Sequence, residues 1–305
     1  MLNTVQKVLY IGFGFRIFSD IALPELPKST CQDESYDIVF EKDELTDIWS
    51  EFTSSNSFFV IKENQTLFHI PNVAVYSIEN GNTVKYSPAD GASEDQVRLY
   101  LLGSCMGALL IQRKILPLHG SAIEINGKAY AIVGDSGAGK STLASSFLLQ
   151  GYQLLSDDII PVSLAKGGIP VVTPAYPQQK LWQESLLEFG ISTKELRPIV
   201  DRETKFAVPV SSQFVNKPIP LAGVFELVKT DTMNIEMHQI FGLERLHTLF
   251  YHTYRNFLLG PSGRMEWHFS FTTGLVDKLD FYQLRRPTVR FTANELASII
   301  LSTLN

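Results

Sequence analysis

The chain has 305 residues, of which 45% are hydrophobic and 19% charged, and its formal net charge is −6. That balance describes a globular chain of one extended domain or two, and it excludes a nucleic-acid groove or a polybasic membrane surface as its overall character. The longest apolar run, residues 99–111, is broken by Gly103, Ser104 and Gly107, and it falls short of the about 20 apolar residues that a bilayer span needs.

The first residues, Met1-Leu2-Asn3-Thr4-Val5-Gln6-Lys7, lack the charged-then-apolar layout of a signal peptide. Cys31 lies in a polar segment and Cys105 in an apolar one, which reads as a surface thiol and a buried thiol rather than a bridge. A cytoplasmic protein with no membrane and no nucleic-acid partner is the expectation.

In chain order, residues 8–18, 36–40, 58–62, 66–70, 73–78 and 83–86 are rich in β-branched and aromatic residues and predict strands. Residues 1–92 therefore read as a β-rich region, without a chemical motif. Ser93 and Gln96 have the form of a capping box, opening a connecting helix over residues 93–115. The remainder, residues 116–305, is expected to be an α/β phosphate-loop domain. Strands at 118–125 and 129–133 flank Asn126-Gly127, a two-residue hairpin signal. A helix follows from residue 141 and stops at Gly151. Further strands are predicted at 153–156, 159–164, 169–173, 221–229 and 281–285, and helices at 183–189, 243–258, 264–279 and 293–304.

Between the strand at 129–133 and the helix from 141 stands Gly134-Asp135-Ser136-Gly137-Ala138-Gly139-Lys140-Ser141-Thr142, which satisfies G-x-x-x-x-G-K-[ST] in the strand–turn–helix setting the motif requires. Glycines let successive backbone N–H groups turn toward one anion, and the helix start adds its partial positive charge. Lys140 then reaches the outer phosphates and the Ser141 hydroxyl completes a Mg²⁺ shell. A nucleoside triphosphate, ATP with Mg²⁺, is the implied ligand.

The hairpin pairs Ile125 with Lys128, and counting outward places His119 opposite Gly134, beside this loop. Asp157-Asp158 sits after the strand that follows the loop helix, where an α/β sheet presents ligand-binding residues. One carboxylate can hold Mg²⁺ with Ser141 while the other accepts the proton of an attacking hydroxyl. Adjacent strand residues point to opposite faces, so both reach one site only if the backbone turns there. His247 and His252, five apart, do not share a helix face as a metal pair would, and read as structural.

Leu118-His119-Gly120, the loop from Gly134 to Ser141, and Ser156-Asp157-Asp158 resemble, in order and spacing, the His, phosphate-loop and Asp-Asp elements of the HPr kinase/phosphorylase family. The resemblance implies a fold related to phosphoenolpyruvate carboxykinase and transfer of phosphate to a serine hydroxyl of a protein. It assigns Asp157 as base, Asp158 to metal and substrate geometry, and His119 to holding the aspartate. The family's glycine-rich C-terminal signature is not found. The wider layout, with Leu101-Leu102-Gly103, Gln112-Arg113, Tyr176-Pro177, Lys180-Leu181-Trp182 and His252-Thr253-Tyr254-Arg255, looks more like HPr-kinase-like proteins of peptide natural-product clusters. Some of those are similar to kinases of a C-terminal serine in lasso-peptide precursors.

The leading expectation is therefore a serine kinase acting on a small precursor peptide or small protein, with a homo-oligomer left open. An HPr-type kinase of carbon regulation, a nucleotide-sensing regulatory module and a nucleotide hydrolase are the alternatives. Lys180, Arg202, Lys205, Arg245 and Arg255 are candidate contacts to phosphate or an acidic acceptor, with Lys180 and Arg255 first because they fall in the family-like layout. Trp182 and Tyr254 read as packing residues.

Overall fold

A computed structural model describes residues 7–30, 35–52, 58–199 and 202–304. The chain divides into two compact units, Met1–Ile115 with Phe257–His268, and Leu116–Asn256 with Phe269–Asn305.

In the first unit, β1 (Val8–Gly12) and β2 (Phe15–Ser19) are joined by Phe13 and Gly14, both at positive φ (56° and 77°). The single strand expected over residues 8–18 is thus a hairpin, because two consecutive left-handed residues reverse the chain. The chain continues through β3 (Ile38–Lys42), α1 (Thr46–Phe52), β4 (Phe59–Lys62), β5 (Gln65–Ile70), β6 (Ala74–Glu79) and β7 (Thr83–Pro88). These strands form one seven-stranded sheet in the order β1-β2-β3-β7-β6-β5-β4. The capping box at Ser93 and Gln96 forms as expected and opens α2 (Glu94–Tyr100). A looser π turn, Leu101–Cys105, carries it into α3 (Met106–Gln112). Arg98 anchors α2 through a buried ion pair with Glu25 at 3.2 Å, and Cys105 is buried. Cys31 lies outside the described residues. The return of residues 257–268 to this unit is not signalled in the sequence; Phe257 meets Phe59 edge-on, with ring centroids 5.0 Å apart.

The second unit begins with β8 (Leu116–Ile125) and β9 (Lys128–Val133), then α4 (Lys140–Leu149), β10 (Gln153–Leu164) and β11 (Pro170–Val172). After β12 (Gln178–Trp182), α5 (Gln183–Glu188), β13 (Arg197–Ile199) and β14 (Arg202–Pro209) come β15 (Ile219–Thr230), β16 (Glu236–Gln239), α6 (Leu243–Tyr251), the part of α7 (Met265–Val276) from Phe269 on, β17 (Asp280–Pro287) and α8 (Ala293–Leu304). The main sheet runs β11-β10-β8-β9-β15-β17-β16, and β11 also pairs with β15, closing a ring of pairings through five strands. Two expectations are corrected. The two strands predicted around Asp157-Asp158 are one continuous strand, β10, whose pairing with β8 persists on both sides. The helix predicted over 243–258 ends at Tyr251, where residues 252–254 turn to pair with β8. A separate sheet, β12-β14-β13, was not anticipated.

The sheet is buried on both faces, which explains the nearly unbroken apolar run of β9. Ala129, Ala131 and Val133 pack on one side with Leu116, Leu118 and Phe281. Tyr130 and Ile132 pack on the other with Leu143, Phe147, Leu296 and Ile300 of α4 and α8. Each such fully buried side chain stabilises the unit by about 1.5–3 kcal/mol, so α4, and with it the loop before it, is fixed to the sheet.

Close backbone approach beside the loop fixes one residue type: a methyl on Gly120 would collide with the carbonyl of Ile132. Gly120→Ala is therefore expected to lower the unfolding free energy by about 1–3 kcal/mol. Gly274→Ala, in the open on α7, should raise it by about 0.5–1 kcal/mol. Denaturant midpoints measure both, and an unchanged midpoint for Gly120→Ala would contradict the packing described.

Candidate active site

Strands β9, β15 and β17 are parallel, and their carboxyl ends gather at the amino end of α4, where ligands of such sheets bind. The loop itself leaves β9 at Gly134 with φ 150°, and Gly137 and Gly139 stand at φ 77° and 105°. A side chain on Gly134 would strike the Leu227 carbonyl of β15, so glycine is required there. Asp135, Ser136 and Gly137 are exposed, while Ala138 is buried. Lys140, 8% exposed, donates from Nζ to the carbonyls of Gly134 at 2.8 Å and Asp135 at 2.9 Å. Burial depresses its pKa, against the pull of Asp157 and Asp158. Ser141 Oγ has no hydrogen-bond partner among the described residues, whereas the Thr142 hydroxyl lies 2.8 Å from Ser185 Oγ on α5. Of these two loop hydroxyls, Ser141 is the one left for a ligand.

The register of the β8–β9 hairpin is the one expected: Ile125 pairs with Lys128 and Gly120 with Val133, which puts His119 one step beyond, level with Gly134. Across the other edge of β8, Asp157 pairs with Ser121, Asp158 with Gly120, and Ile159 with His119. Asp158 adopts φ 90°. This is the backbone turn that lets consecutive carboxylates leave a strand toward one region, and Asp is among the non-glycine residues that tolerate it best.

The two carboxylates have different surroundings. Asp157 is 3% exposed; its Oδ1 accepts from Ser121 Oγ at 2.5 Å and its Oδ2 from the Lys180 backbone N–H at 2.9 Å. Asp158 accepts from Lys180 Nζ at 2.7 Å, and His119 Nδ1 lies 3.5 Å from its Oδ1. Burial pushes the Asp158 carboxyl up, but the Lys180 ammonium and His119 outweigh it and hold the group well below the usual carboxylate range. Burial likewise lowers Lys180, and Asp158 more than reverses it, leaving the ammonium well above its ordinary value. His119 Nδ1 is also 3.0 Å from the Asp158 carbonyl. A carbonyl only accepts, so Nδ1 carries the proton and Nε2 offers a lone pair. Burial lowers the His119 pKa despite Asp158, favouring the neutral ring.

Two assignments read from the sequence change place. His119 meets Asp158 rather than Asp157, because the register sets Asp157 opposite Ser121. Lys180, expected as a substrate contact, is turned inward and joins both aspartates, one through its main chain and one through its ammonium. It is brought there by β12, which docks on the loop helix: the buried Gln179 accepts from Ser145 Oγ at 2.9 Å. Arg255 lies with its guanidinium 5.6 Å from the Tyr254 ring, and that ring is 5.5 Å from the His119 ring. Lys205 stands over Trp182 at 5.3 Å. Arg245 is used structurally, donating to the carbonyls of Ile240 and Val276. The Arg202 side chain lies outside the described residues.

Other groups were missed. Ser121 was legible in principle, since it shares a strand face with His119 at i, i+2. Glu226 had no local signal, and His252 read as structural. Glu226 pairs with Val133 across β15 and β9, and accepts from His252 Nε2 and Gln283 Nε2, each at 2.8 Å. Burial raises the Glu226 pKa, but these partners bring it below the ordinary range. The His252 carbonyl in turn receives the His119 backbone N–H at 2.7 Å. Tyr251 bonds the Asp135 side chain, whose charge raises the phenol pKa.

No family model matches the chain. Segments of it are similar to curated HPr kinase/phosphorylases. One from Treponema pallidum subsp. pallidum is 38% identical over 52 residues, 17% of this chain and 16% of that protein. One from Mycoplasmopsis pulmonis is 38% identical over 64 residues, 20% and 21% of the two chains. One from Aromatoleum aromaticum is 34% identical over 95 residues, 30% and 28%. The chain thus spans between 16% and 28% of the length of these relatives. The solved HPr(Ser) kinase/phosphatase of Coxiella burnetii aligns over 62% of this chain and 93% of its own at 13% identity, with a TM-score of 0.32, a likeness too loose to carry an argument.

The Asp158–Lys180 pair gives a stability prediction. Removing the ammonium leaves a largely buried carboxylate uncompensated, so Lys180→Met should cost about 3–5 kcal/mol at neutral pH. Adding Asp158→Asn should recover part of that loss. Because the folded Asp158 pKa lies below its unfolded value, its contribution is present above about pH 4 and fades as pH falls through the folded pKa. Urea midpoints measured from pH 7 downward should therefore fall less steeply below pH 4 in Asp158→Asn, and identical profiles would contradict the pairing.

Proposed function

We propose that this chain is an ATP- and Mg²⁺-dependent kinase that phosphorylates a serine hydroxyl on a small protein or precursor peptide. The observation that carries the reading is the left-handed Asp158, which gathers two carboxylates and His119 beside the Lys140 of a phosphate loop. The matched segments of HPr kinase/phosphorylases support the same chemistry.

Phosphoryl transfer needs positioning and charge stabilisation above all. The loop N–H groups and Lys140 bind and orient the triphosphate. Transfer forms a bond between the acceptor oxygen and the γ-phosphorus, breaks the bond to the β,γ-bridging oxygen, and moves the hydroxyl proton to a carboxylate, with ADP leaving. By access Asp158 is the acceptor of that proton, 22% exposed at the side chain where Asp157 is almost wholly buried; the Lys180 ammonium keeps it ionised and makes it a weak base, so the proton moves late, once the bond to phosphorus has largely formed. Asp157, held by the Ser121 hydroxyl and the Lys180 backbone N–H rather than by the Lys180 ammonium, is assigned to the metal. This division reverses the one the resemblance implies. Neutral His119 orients Asp158 through its carbonyl and carboxylate.

Mg²⁺ relies on one or two carboxylates and on phosphate oxygens rather than on a full protein cage. Ser141, with its unpartnered hydroxyl, and Asp157 would hold it, and the ion would supply charge neutralisation on the phosphates. Arg255, whose guanidinium lies over the Tyr254 ring, is the residue proposed to meet an anionic group of the acceptor. A precursor peptide, of the lasso-peptide class, is the finer form of the reading, supported by the family-like layout around Lys180 and His252 to Arg255.

Labelled ATP, a panel of serine-containing peptides and small proteins, and single-turnover kinetics test the assignment. Asp158→Asn should slow transfer by about 10²–10⁴-fold while ATP affinity is retained, and Asp157→Asn should weaken Mg²⁺-dependent ATP binding. Serine labelling undiminished in Asp158→Asn would sink the role given to that residue. Tight nucleotide binding with partner exchange and no transfer to any acceptor would instead favour a regulatory module.

A further inference from the structure

The sequence motif accounts for one lysine at the phosphate loop; the structure brings two more cations to its far side. Lys229 and Arg286 occupy the carboxyl ends of the parallel strands β15 and β17, and they are register partners. A methyl built on Gly137 would lie 3.3 Å from Lys229 Nζ, and one built on Gly139 would lie 3.2 Å from Arg286 Nε. Arg286 donates to the carbonyl of Ala138 at 2.6 Å and to its neighbour Pro287 at 3.2 Å. Among the described residues neither cation has a carboxylate partner. Like charges directly opposed on adjacent strands are destabilising, and burial further depresses the Arg286 pKa. Two uncompensated cations held against the glycines of an anion-binding loop leave a place for added negative charge between them and Lys140.

We infer that Lys229 and Arg286 form a second cationic wall of the phosphate site, with Lys229 touching the phosphates of a nucleoside triphosphate and Arg286 positioning the loop through the Ala138 carbonyl. The inference rests on the nucleotide-binding reading above. Lys229 is exposed, and a lysine's long stem suits it to act as a point charge on a polyphosphate, while the planar Arg286 fork is held by the Ala138 and Pro287 carbonyls.

Calorimetric titration of Mg²⁺–ATP and Mg²⁺–ADP into the full chain separates the possibilities. Lys229→Gln should weaken ATP binding by about tenfold or more, the size of one lost charge-assisted hydrogen bond. Its thermal midpoint without nucleotide should not fall, since a like-charge opposition is relieved, ADP should be affected less, and the salt dependence of ATP affinity should shrink. Arg286→Gln should weaken both nucleotides, and Arg286→Lys should restore little, because a lysine cannot reproduce the fork. ATP affinity in Lys229→Gln equal to that of the unaltered chain overturns the inference while leaving the nucleotide reading intact. If the unaltered chain binds no ATP, or binds it equally well with Lys140→Ala, the nucleotide reading falls and this inference with it.

Discussion

Everything distinctive about the site depends on one backbone constraint, the left-handed conformation of Asp158 within a continuous strand. Such a conformation costs about 1–3 kcal/mol and persists only where its surroundings over-determine it. Here the surroundings are identifiable: the strand pairs with β8 on both sides of the residue, the Asp158 carbonyl receives His119 Nδ1, and the carboxylate receives Lys180 Nζ. In a regular strand one of the two aspartates would face away, and the site would have a single carboxylate.

That constraint is held in place by the docking of β12 on α4. Gln179 and Lys180 are neighbours on β12, and they bind in different directions, one to Ser145 on the loop helix and one to the aspartates. The helix that carries Lys140 and Ser141, and the strand that carries Asp157 and Asp158, are thereby tied by the same short element. Asp157 is fixed from a third side by Ser121, and His119 is fixed by the carbonyl of His252, itself tied to Glu226 beside the loop. The reacting groups thus sit on strands and a helix rather than on free loops, which is how a site keeps its geometry through a reaction.

What was legible in the sequence was what is local. The glycine pattern from Gly134 to Gly139, the Asn126-Gly127 turn and the Ser93 cap each dictate their own conformation within a few residues, so the loop, the hairpin register and the helix start were all readable. The hidden parts are decided by tertiary partners. Nothing in Ser156-Asp157-Asp158-Ile159 announces a left-handed residue in mid-strand, so the sequence reads as two strands and a break. The polar run Gln178-Gln179-Lys180 lacks strand periodicity because Gln179 is buried against a serine of another element. Lys229 stands 92 positions after the Gly137 it approaches and Arg286 147 positions after Gly139, and a local motif cannot point to them.

The central claim, that these groups form one phosphoryl-transfer site, is tested most directly by a crystal structure of the chain with Mg²⁺ and a non-hydrolysable ATP analogue. The expected result is a triphosphate wrapped by the backbone from Gly134 to Thr142, Mg²⁺ on the Ser141 hydroxyl, and both the Asp157 and Asp158 carboxylates facing the γ-phosphate end. A nucleotide bound elsewhere, or phosphates in the loop with both carboxylates turned away from them, would contradict it.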